Sequence, residues 1–396
     1  MKTTGIFTIA TLALALASCE QYRNEYPVPQ PDPRQELTLR EVARILSELP
    51  LEGAHLGEVH DAVSSSSGNG YDEEYMMSDL FSSPGAGVGD GGVPSRAGGY
   101  GSPLKDLFAD YFEARCAATR AGSAVEYIEA LSASDMQIYW PYSEDWDGES
   151  YPIVTFDPGY GAESNYGYEI RFDGDGVKVV DSVFVDEAVA MTRPVWVINR
   201  NDDGAFTPLE LLNAVEASCV ASAAGRPAPS AAGRPAPSAA GRMLMIKSFQ
   251  MLRNYDSWFG GASEFFVKCG AVDGFRATTD EDLKKYSASL TDFMISVKRK
   301  QLKLTVPFEA ILLSDFTDQI DKLVFLIIED DGGTTTSWKC SATVKYQSKN
   351  YGFDLDIPYH DKDDIVWRGQ LSSSFFTETP EVTGRFGDVR VTFKVK

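Results

Sequence analysis

Apolar residues recur at helical spacing in the first part of the chain and alternate with polar residues in the last part. Thr38 and Glu41 form a capping-box pair, and the apolar positions that follow predict a helix that ends before Pro50. The same spacing predicts further helices over 55–63, 104–118 and 124–131. The chain therefore begins its folded part with helices.

After these helices the sequence predicts short β-strands separated by Gly- and Asp-rich turns. In the middle they cover 136–140, 153–156, 168–172, 177–185 and 193–199. From Met243 onward they cover 243–251, 263–269, 292–298, 302–308, 322–329, 337–346, 353–357 and 389–395. We expect an α+β fold with a helix-rich N-terminal part, a mixed α+β middle and a C-terminal antiparallel β-sandwich.

Residues 222–242 repeat the octapeptide Ser-Ala-Ala-Gly-Arg-Pro-Ala-Pro. A period of eight without large apolar side chains cannot bury a face, so the repeat predicts a linker. We expect it to separate an α+β domain over 37–221 from a β-sandwich domain over 243–396. The alternative is an insertion that lengthens a loop inside one domain.

The first residues predict export. Lys2 precedes the apolar run 6–17, which is too short to span a bilayer comfortably and has the length of a secretory signal. The segment ends in Leu16-Ala17-Ser18-Cys19, which resembles the lipobox of bacterial lipoproteins. The resemblance implies removal of a signal peptide over 1–18, acylation of Cys19 and a membrane anchor. An ordinary cleaved signal that ends in Cys is the alternative.

Glu20 follows the expected lipidation site. In lipoproteins similar to this one, Asp at that position favours inner-membrane retention, so we expect the outer membrane and leave its leaflet open. Residues 19–36 contain alternating prolines at 27, 29, 31 and 33, which predict an extended tether. The chain as a whole resembles the multidomain envelope lipoproteins common in Bacteroidota.

The net charge limits which partners the protein can bind, and the sequence motifs limit which reactions it can catalyse. Against 36 Lys and Arg stand 58 Asp and Glu, so the net charge is −22, which excludes nucleic acid as a partner. The three His lack HExxH spacing, and no Ser lies in a G-x-S-x-G motif. We expect a binding protein with a glycan or protein partner rather than an enzyme. A carboxylate-dependent hydrolase is the alternative.

One segment resembles an EF-hand calcium loop. Oxygen-bearing side chains fall at the ligand positions, at Asn199, Asn201, Asp203, Thr207 and Glu210, with a glycine at the sixth position. A hard cation needs several converging oxygens, which this spacing supplies. The segment departs from the pattern because Asn stands first and a strand precedes it. A plain strand-to-helix turn is the alternative.

A second acidic set lies in the C-terminal part, at Glu329, Asp330, Asp331, Asp354, Asp356, Asp361, Asp363 and Asp364. Loops at one end of a sandwich can gather such carboxylates, and in composition and architecture the set is similar to C2-like calcium modules. We interpret it as a solvated acidic loop, with calcium binding as the alternative.

Two groups of aromatic residues suggest a sugar-stacking surface. The first contains Trp140, Tyr142 and Trp146, and the second lies at 255, 258 and 259. Packing in the core is the alternative interpretation of both. Four cysteines besides Cys19, at 116, 219, 269 and 340, allow either disulfides or buried thiols.

Overall fold

The computed structural model describes residues 37–68, 70–81, 100–120, 122–201 and 242–396. These residues form an α+β fold with a helical N-terminal region and antiparallel sheets, which confirms the predicted class. No helix in these ranges has the length and apolar character needed to cross a membrane. The leader, the proline-rich tether and nearly all of the octapeptide repeat lie outside the described residues, so what the sequence predicts for them stays a prediction.

The first helix, α1 (Leu39–Glu48), begins at the predicted capping box. The Glu41 N–H donates to the Thr38 hydroxyl at 3.2 Å, and the Thr38 N–H donates to the Glu41 carboxylate at 3.1 Å. These bonds satisfy amide groups that lack a partner within the first turn. The described part of the chain contains further α-helices: α2 (Gly53–Gly68), α3 (Met77–Leu80), α4 (Leu104–Thr119), α5 (Ala124–Ser132), α6 (Glu187–Ala190), α7 (Asp280–Leu283) and α8 (Ser373–Thr377).

The N-terminal helices pack on a six-stranded sheet with the order β1-β2-β6-β3-β4-β5. Its strands are β1 (Glu74–Met76), β2 (Met136–Tyr139), β3 (Ile153–Phe156), β4 (Ser164–Phe172), β5 (Lys178–Asp186) and β6 (Val195–Arg200). β3 and β6 run parallel, and the other neighbouring strands are antiparallel.

Strand β6 is buried on both faces. Trp196 and Ile198 belong to the core beneath the helices, whereas Val195 and Val197 face a separate apolar cluster that includes Trp258. Because successive side chains of a strand point to opposite faces, a strand covered on both sides is apolar at nearly every position. We call the second group the junction cluster; it consists of Tyr139, Ile153, Val185, Ala190, Val195, Val197, Trp258 and Phe259.

The C-terminal region contains two further sheets. Its strands are β7 (Leu244–Met251), β8 (Ser263–Ala271), β9 (Ser289–Val297), β10 (Val306–Leu313), β11 (Ile320–Glu329), β12 (Thr335–Tyr346), β13 (Lys349–His360), β14 (Asp364–Ser372), β15 (Glu381–Phe386) and β16 (Val389–Val395). One sheet has the order β10-β7-β16-β15, and the other has the order β13-β12-β11-β8-β9 with β14 paired to β11. Apolar residues of both sheets form one core cluster.

Polar contacts join the two regions around the junction cluster. The Asn199 side-chain amide donates to the carbonyl oxygens of Phe259 at 3.1 Å and Gly260 at 3.0 Å. The Ala262 N–H donates to the buried carboxylate of Asp72 at 3.0 Å. The loop between β7 and β8 is therefore bonded to the N-terminal sheet.

A second contact runs through the turn after β9. The Lys298 ammonium lies 3.1 Å from the buried carboxylate of Glu73. The Arg299 guanidinium donates to both carboxylate oxygens of Glu187, at 2.6 and 3.1 Å. Buried charges of opposite sign thus meet in pairs across the junction.

Candidate functional site

A cavity of about 470 Å³ lies in the N-terminal region beside the end of β2. Segments 140–151 and 190–194 contribute most of its wall. Three aromatic residues that the sequence predicts as a binding group, Trp140, Tyr142 and Trp146, all line it. The volume lies in the range of small-molecule sites, so we treat this cavity as the candidate functional site.

The tryptophans form a rigid back wall. Trp140 is only 1% exposed, and its ring lies edge-on to those of Trp146 at 5.2 Å and Trp196 at 5.7 Å. Edge-to-face contacts of this kind stabilise an aromatic cluster. The expectation of an exposed platform is therefore wrong for Trp140, which is a core residue. Trp146 is half-buried, and its ring also packs on His60 at 5.2 Å.

Tyr142 is fixed at both its backbone and its hydroxyl. Its backbone has a φ of 59°, and its hydroxyl donates to the Glu187 carboxylate at 2.9 Å. Burial and this carboxylate raise the pKa of Tyr142. Burial alone would raise the pKa of Glu187, but the bonds and charge of Arg299 lower it below its ordinary value. One side of the cavity is thereby held by an Arg299–Glu187–Tyr142 chain.

A tight loop forms another part of the cavity wall. The Asp147 carboxylate accepts hydrogen bonds from the backbone N–H of Ser150 at 2.7 Å and of Glu149 at 2.9 Å. Gly148 has a φ of 84°, a conformation in which a side chain is strained. The Trp146 indole N–H donates to the Ser150 carbonyl at 2.9 Å, so the loop also fixes the ring.

The cavity supports binding better than acid–base catalysis. Hydrogen bonds from Ser150 and the loop amides lower the pKa of Asp147 to about 2, whereas a general acid needs a raised pKa. Tyr151, Asp145 and Arg193 complete the lining with one more ring and two exposed charges. Sequence reasoning missed Tyr151 and Arg193 because isolated loop residues give no periodic signal.

The second aromatic group does not form a surface platform. Trp258 and Phe259 are fully buried in the junction cluster, and the Trp258 indole N–H donates to the Glu163 carbonyl at 3.0 Å. Tyr255 is partly buried against the core of the C-terminal sheets. Core packing is therefore the correct interpretation of this group.

The EF-hand-like segment lies partly in the described residues. Asn199 belongs to β6 and its amide bonds the junction, and the Asn201 amide donates to Glu74 and Gln137. An amide nitrogen does not bind a cation. These hydrogen bonds hold the Asn199 and Asn201 side chains against other groups of the protein. Three more predicted ligands lie outside the described residues, at Asp203, Thr207 and Glu210. Calcium binding there stays a prediction.

The acidic set of the C-terminal region divides into two groups. Five members are exposed, as expected of solvated acids, although three of them lie in strands rather than in a loop: Asp331, Asp354, Asp356, Asp361 and Asp364. That interpretation is wrong for Glu329, Asp330 and Asp363, which are buried. Loop ends and strand ends gather the buried acids, and two residues absent from the predicted set, Asp256 and Glu264, join them. The one sequence signal for them is a charged residue, Glu264, inside the apolar run of β8.

The described cysteines are free thiols: Cys116, Cys269 and Cys340. A bond between Cys269 and Cys340 is therefore absent from the described structure. Cys219 lies outside the described residues. Burial and the charge of Asp273 raise the pKa of Cys269, so its thiol is a poor nucleophile.

No protein-family model matches this sequence, and a search of curated proteins finds no match.

Proposed function

We propose that the chain is a lipid-anchored protein of the cell envelope that binds a carbohydrate in this cavity, against the rings of Tyr142 and Trp146, with the buried Trp140 behind them. The cavity itself carries this proposal, because rings held by internal hydrogen bonds suit the apolar faces of sugar rings. The ring positions are fixed before a ligand arrives, which reduces the entropy lost on binding.

The charged residues around the cavity restrict the class of glycan that it can bind. Asp145 and Asp147 are exposed at the cavity, and the Arg193 guanidinium is bonded to Glu169 at 2.6 Å. An anionic sugar would meet two carboxylates and a cation that is already paired. We therefore propose a neutral or amino-bearing glycan.

The C-terminal region serves in this proposal as a β-sandwich scaffold. Its two sheets share one apolar core, and side chains of its β7–β8 loop bury the outer face of the N-terminal sheet. Such an arrangement keeps the cavity on a rigid body at the end of the predicted tether.

The anchor is tested by labelling cells with radioactive palmitate. We expect label in the wild-type protein and none after Cys19→Ser, and we expect the variant to leave the membrane fraction. A wild type that takes up no label, or a variant that still fractionates with membranes, contradicts the anchor.

The ligand is tested by a glycan array followed by calorimetric titration of the strongest glycan. We expect Trp146→Ala to weaken binding about tenfold or more, since removing a stacking ring removes about 1.4 kcal/mol or more. The matched control is Phe184→Ala, which removes an exposed ring on β5 outside the cavity lining. No glycan bound by the wild type, or equal weakening by the control, contradicts the proposal.

A further inference from the structure

Three carboxylates meet at one end of the C-terminal sheets. Asp256 lies in the β7–β8 loop, Glu264 lies near the start of β8, and Glu329 is the last residue of β11. β8 and β11 are antiparallel neighbours, with Phe265 opposite Glu329. The ends of both strands therefore meet, and one oxygen from each carboxylate lies within 4.8 Å of the others. We call these three residues the carboxylate cluster.

One carboxylate of the cluster has no donor among the described residues. Glu329 is 1% exposed, and within the described ranges neither of its carboxylate oxygens accepts a hydrogen bond. Glu264 does have a partner, because it accepts from the Ser296 hydroxyl at 3.4 Å. One oxygen of Asp256 is also buried without a donor. Asp256 and Glu329 can bond to each other only through a shared proton, because two ionised carboxylates have none to donate. Buried carboxylates normally have a donor, a cation or a metal.

The surroundings add negative charge. Burial and Asp256 raise the pKa of Glu329, and the charges of Asp331 and Asp364 add to this effect. Two cations nearby bind other carboxylates: Arg299 holds Glu187, and Arg253 holds Asp388 at 2.9 Å. Arg299 also donates to the Asp256 carbonyl oxygen at 3.0 Å, and its charge partly offsets the effect of burial on the pKa of Asp256.

A neighbouring group of acidic residues differs from the cluster, because its carboxylates have hydrogen-bond partners. Asp363 accepts a hydrogen bond from the His360 N–H at 2.7 Å, and Asp330 lies 3.1 Å from the His360 ring nitrogen. Asp330 also accepts from the Gly332 N–H at 3.2 Å. Backbone amides and an imidazole complete this group, and we assign no ion to it.

We propose that the carboxylate cluster of Asp256, Glu264 and Glu329 binds a calcium ion. Two oxygens about 2.4 Å from a common ion are at most about 4.8 Å apart, so the spacing fits one calcium. The ligands are all oxygens, which favours a hard cation over zinc or copper. Water and backbone carbonyl oxygens complete the six to eight ligands that calcium takes.

Calcium titration of the purified full-length protein tests the site, by calorimetry and by terbium luminescence. Tyr255 and the nearby Trp258 supply rings that sensitise terbium beside Asp256. We expect one ion per chain with a Kd between about 10⁻⁶ and 10⁻³ M. We expect Glu329→Gln and, independently, Asp256→Asn to weaken binding at least about tenfold. The control, Asp354→Asn, removes the same charge from the exposed face of β13 and leaves binding unchanged.

Either of two results overturns the site. A wild type that binds neither calcium nor terbium means that Asp256 and Glu329 share a proton, and Glu329→Gln then leaves the melting temperature unchanged or raised. Binding that survives both cluster variants places the ion elsewhere, with the Asn199 segment as the first candidate. Neither result depends on the glycan experiment, because the cavity and the cluster have no residue in common.

Discussion

The cavity of the N-terminal region and the carboxylate cluster of the C-terminal region differ in how their polar groups are bonded. In the cavity, the Tyr142 hydroxyl, the Trp146 indole and the Asp147 carboxylate each have a protein partner. In the cluster, both oxygens of Glu329 have none among the residues that the structure describes. The first site is complete without a ligand, whereas the second holds a buried carboxylate without a donor.

The difference indicates what each site can accept. A wall whose polar groups already have partners offers ring faces and shape, which suits a neutral ligand that brings its own hydroxyl groups. A buried group of anions has a strong preference for a small cation or a proton. Acidic composition alone, a net charge of −22, does not distinguish these two environments.

The largest expected effect comes from a substitution in the junction cluster, which lies between the two regions. Trp258→Ala empties a fully buried position between the regions and should lower the free energy of unfolding by about 3–5 kcal/mol. Urea denaturation measures it, and Phe184→Ala at an exposed ring should change stability by less than about 0.5 kcal/mol. An equally small effect of Trp258→Ala would mean that the two regions do not depend on this contact.

Removal of calcium should have the next largest effect, and it acts on the cluster alone. With free calcium at about 100 times its Kd, chelation should lower the unfolding free energy by about 2.7 kcal/mol. Glu329→Gln should abolish the difference between calcium and chelator, whereas Trp146→Ala in the cavity should preserve it. Identical denaturation curves of the wild type with calcium and with chelator contradict the predicted stabilisation.

Most of the fold could be predicted from the sequence, because its local signals agree with its packing. The capping box at Thr38 and the continuous apolar run of β6 both lead directly to the observed elements. The sequence patterns predict no strand at β1, β14 or β15; β1 has only three residues, and β14 and β15 each contain a glycine. At Gly384 an added Cβ would come within 2.5 Å of the Phe386 ring, so packing rather than strand propensity selects that residue.

The candidate sites could be predicted only in part. Trp140, Tyr142 and Trp146 are close in sequence, and they do share one cavity. The carboxylate cluster draws on Asp256 and Glu329, which are far apart in sequence and meet only because β8 pairs with β11. No local sequence pattern predicts that β8 pairs with β11.

A smaller loss of stability tests whether the hydrogen bond between Tyr142 and Glu187 holds the cavity wall in place. Tyr142→Phe keeps the ring and removes the hydroxyl that donates to Glu187. Glu187 retains Arg299, so we expect a loss of only about 1 kcal/mol in unfolding free energy. Tyr166→Phe, at an exposed ring of β4, should have no measurable effect. If denaturation shows equal stability for both variants, the hydroxyl bond does not support the wall.

The smallest effect contrasts the cluster with a single partly buried acid in the N-terminal region. Burial raises the pKa of Asp79 from 3.8 to about 6, so the folded state takes up a proton more readily than the unfolded state. The carboxyl group therefore opposes folding increasingly as pH rises from about 3.8 to about 6, and the full penalty persists above that. Because the group is partly exposed, we expect a penalty on the order of 1 kcal/mol.

Asp79→Asn should remove this part of the pH dependence. Denaturation of the wild type and the variant at pH 4.5 and 7.5 should show a smaller fall in stability for the variant, at the same calcium concentration. Asp175→Asn, in the exposed turn after β4, should behave like the wild type. An unchanged fall in the Asp79 variant would show that a proton does not neutralise this acid near neutral pH. A lone, partly buried acid needs only a proton, whereas three converging carboxylates also have room for an ion.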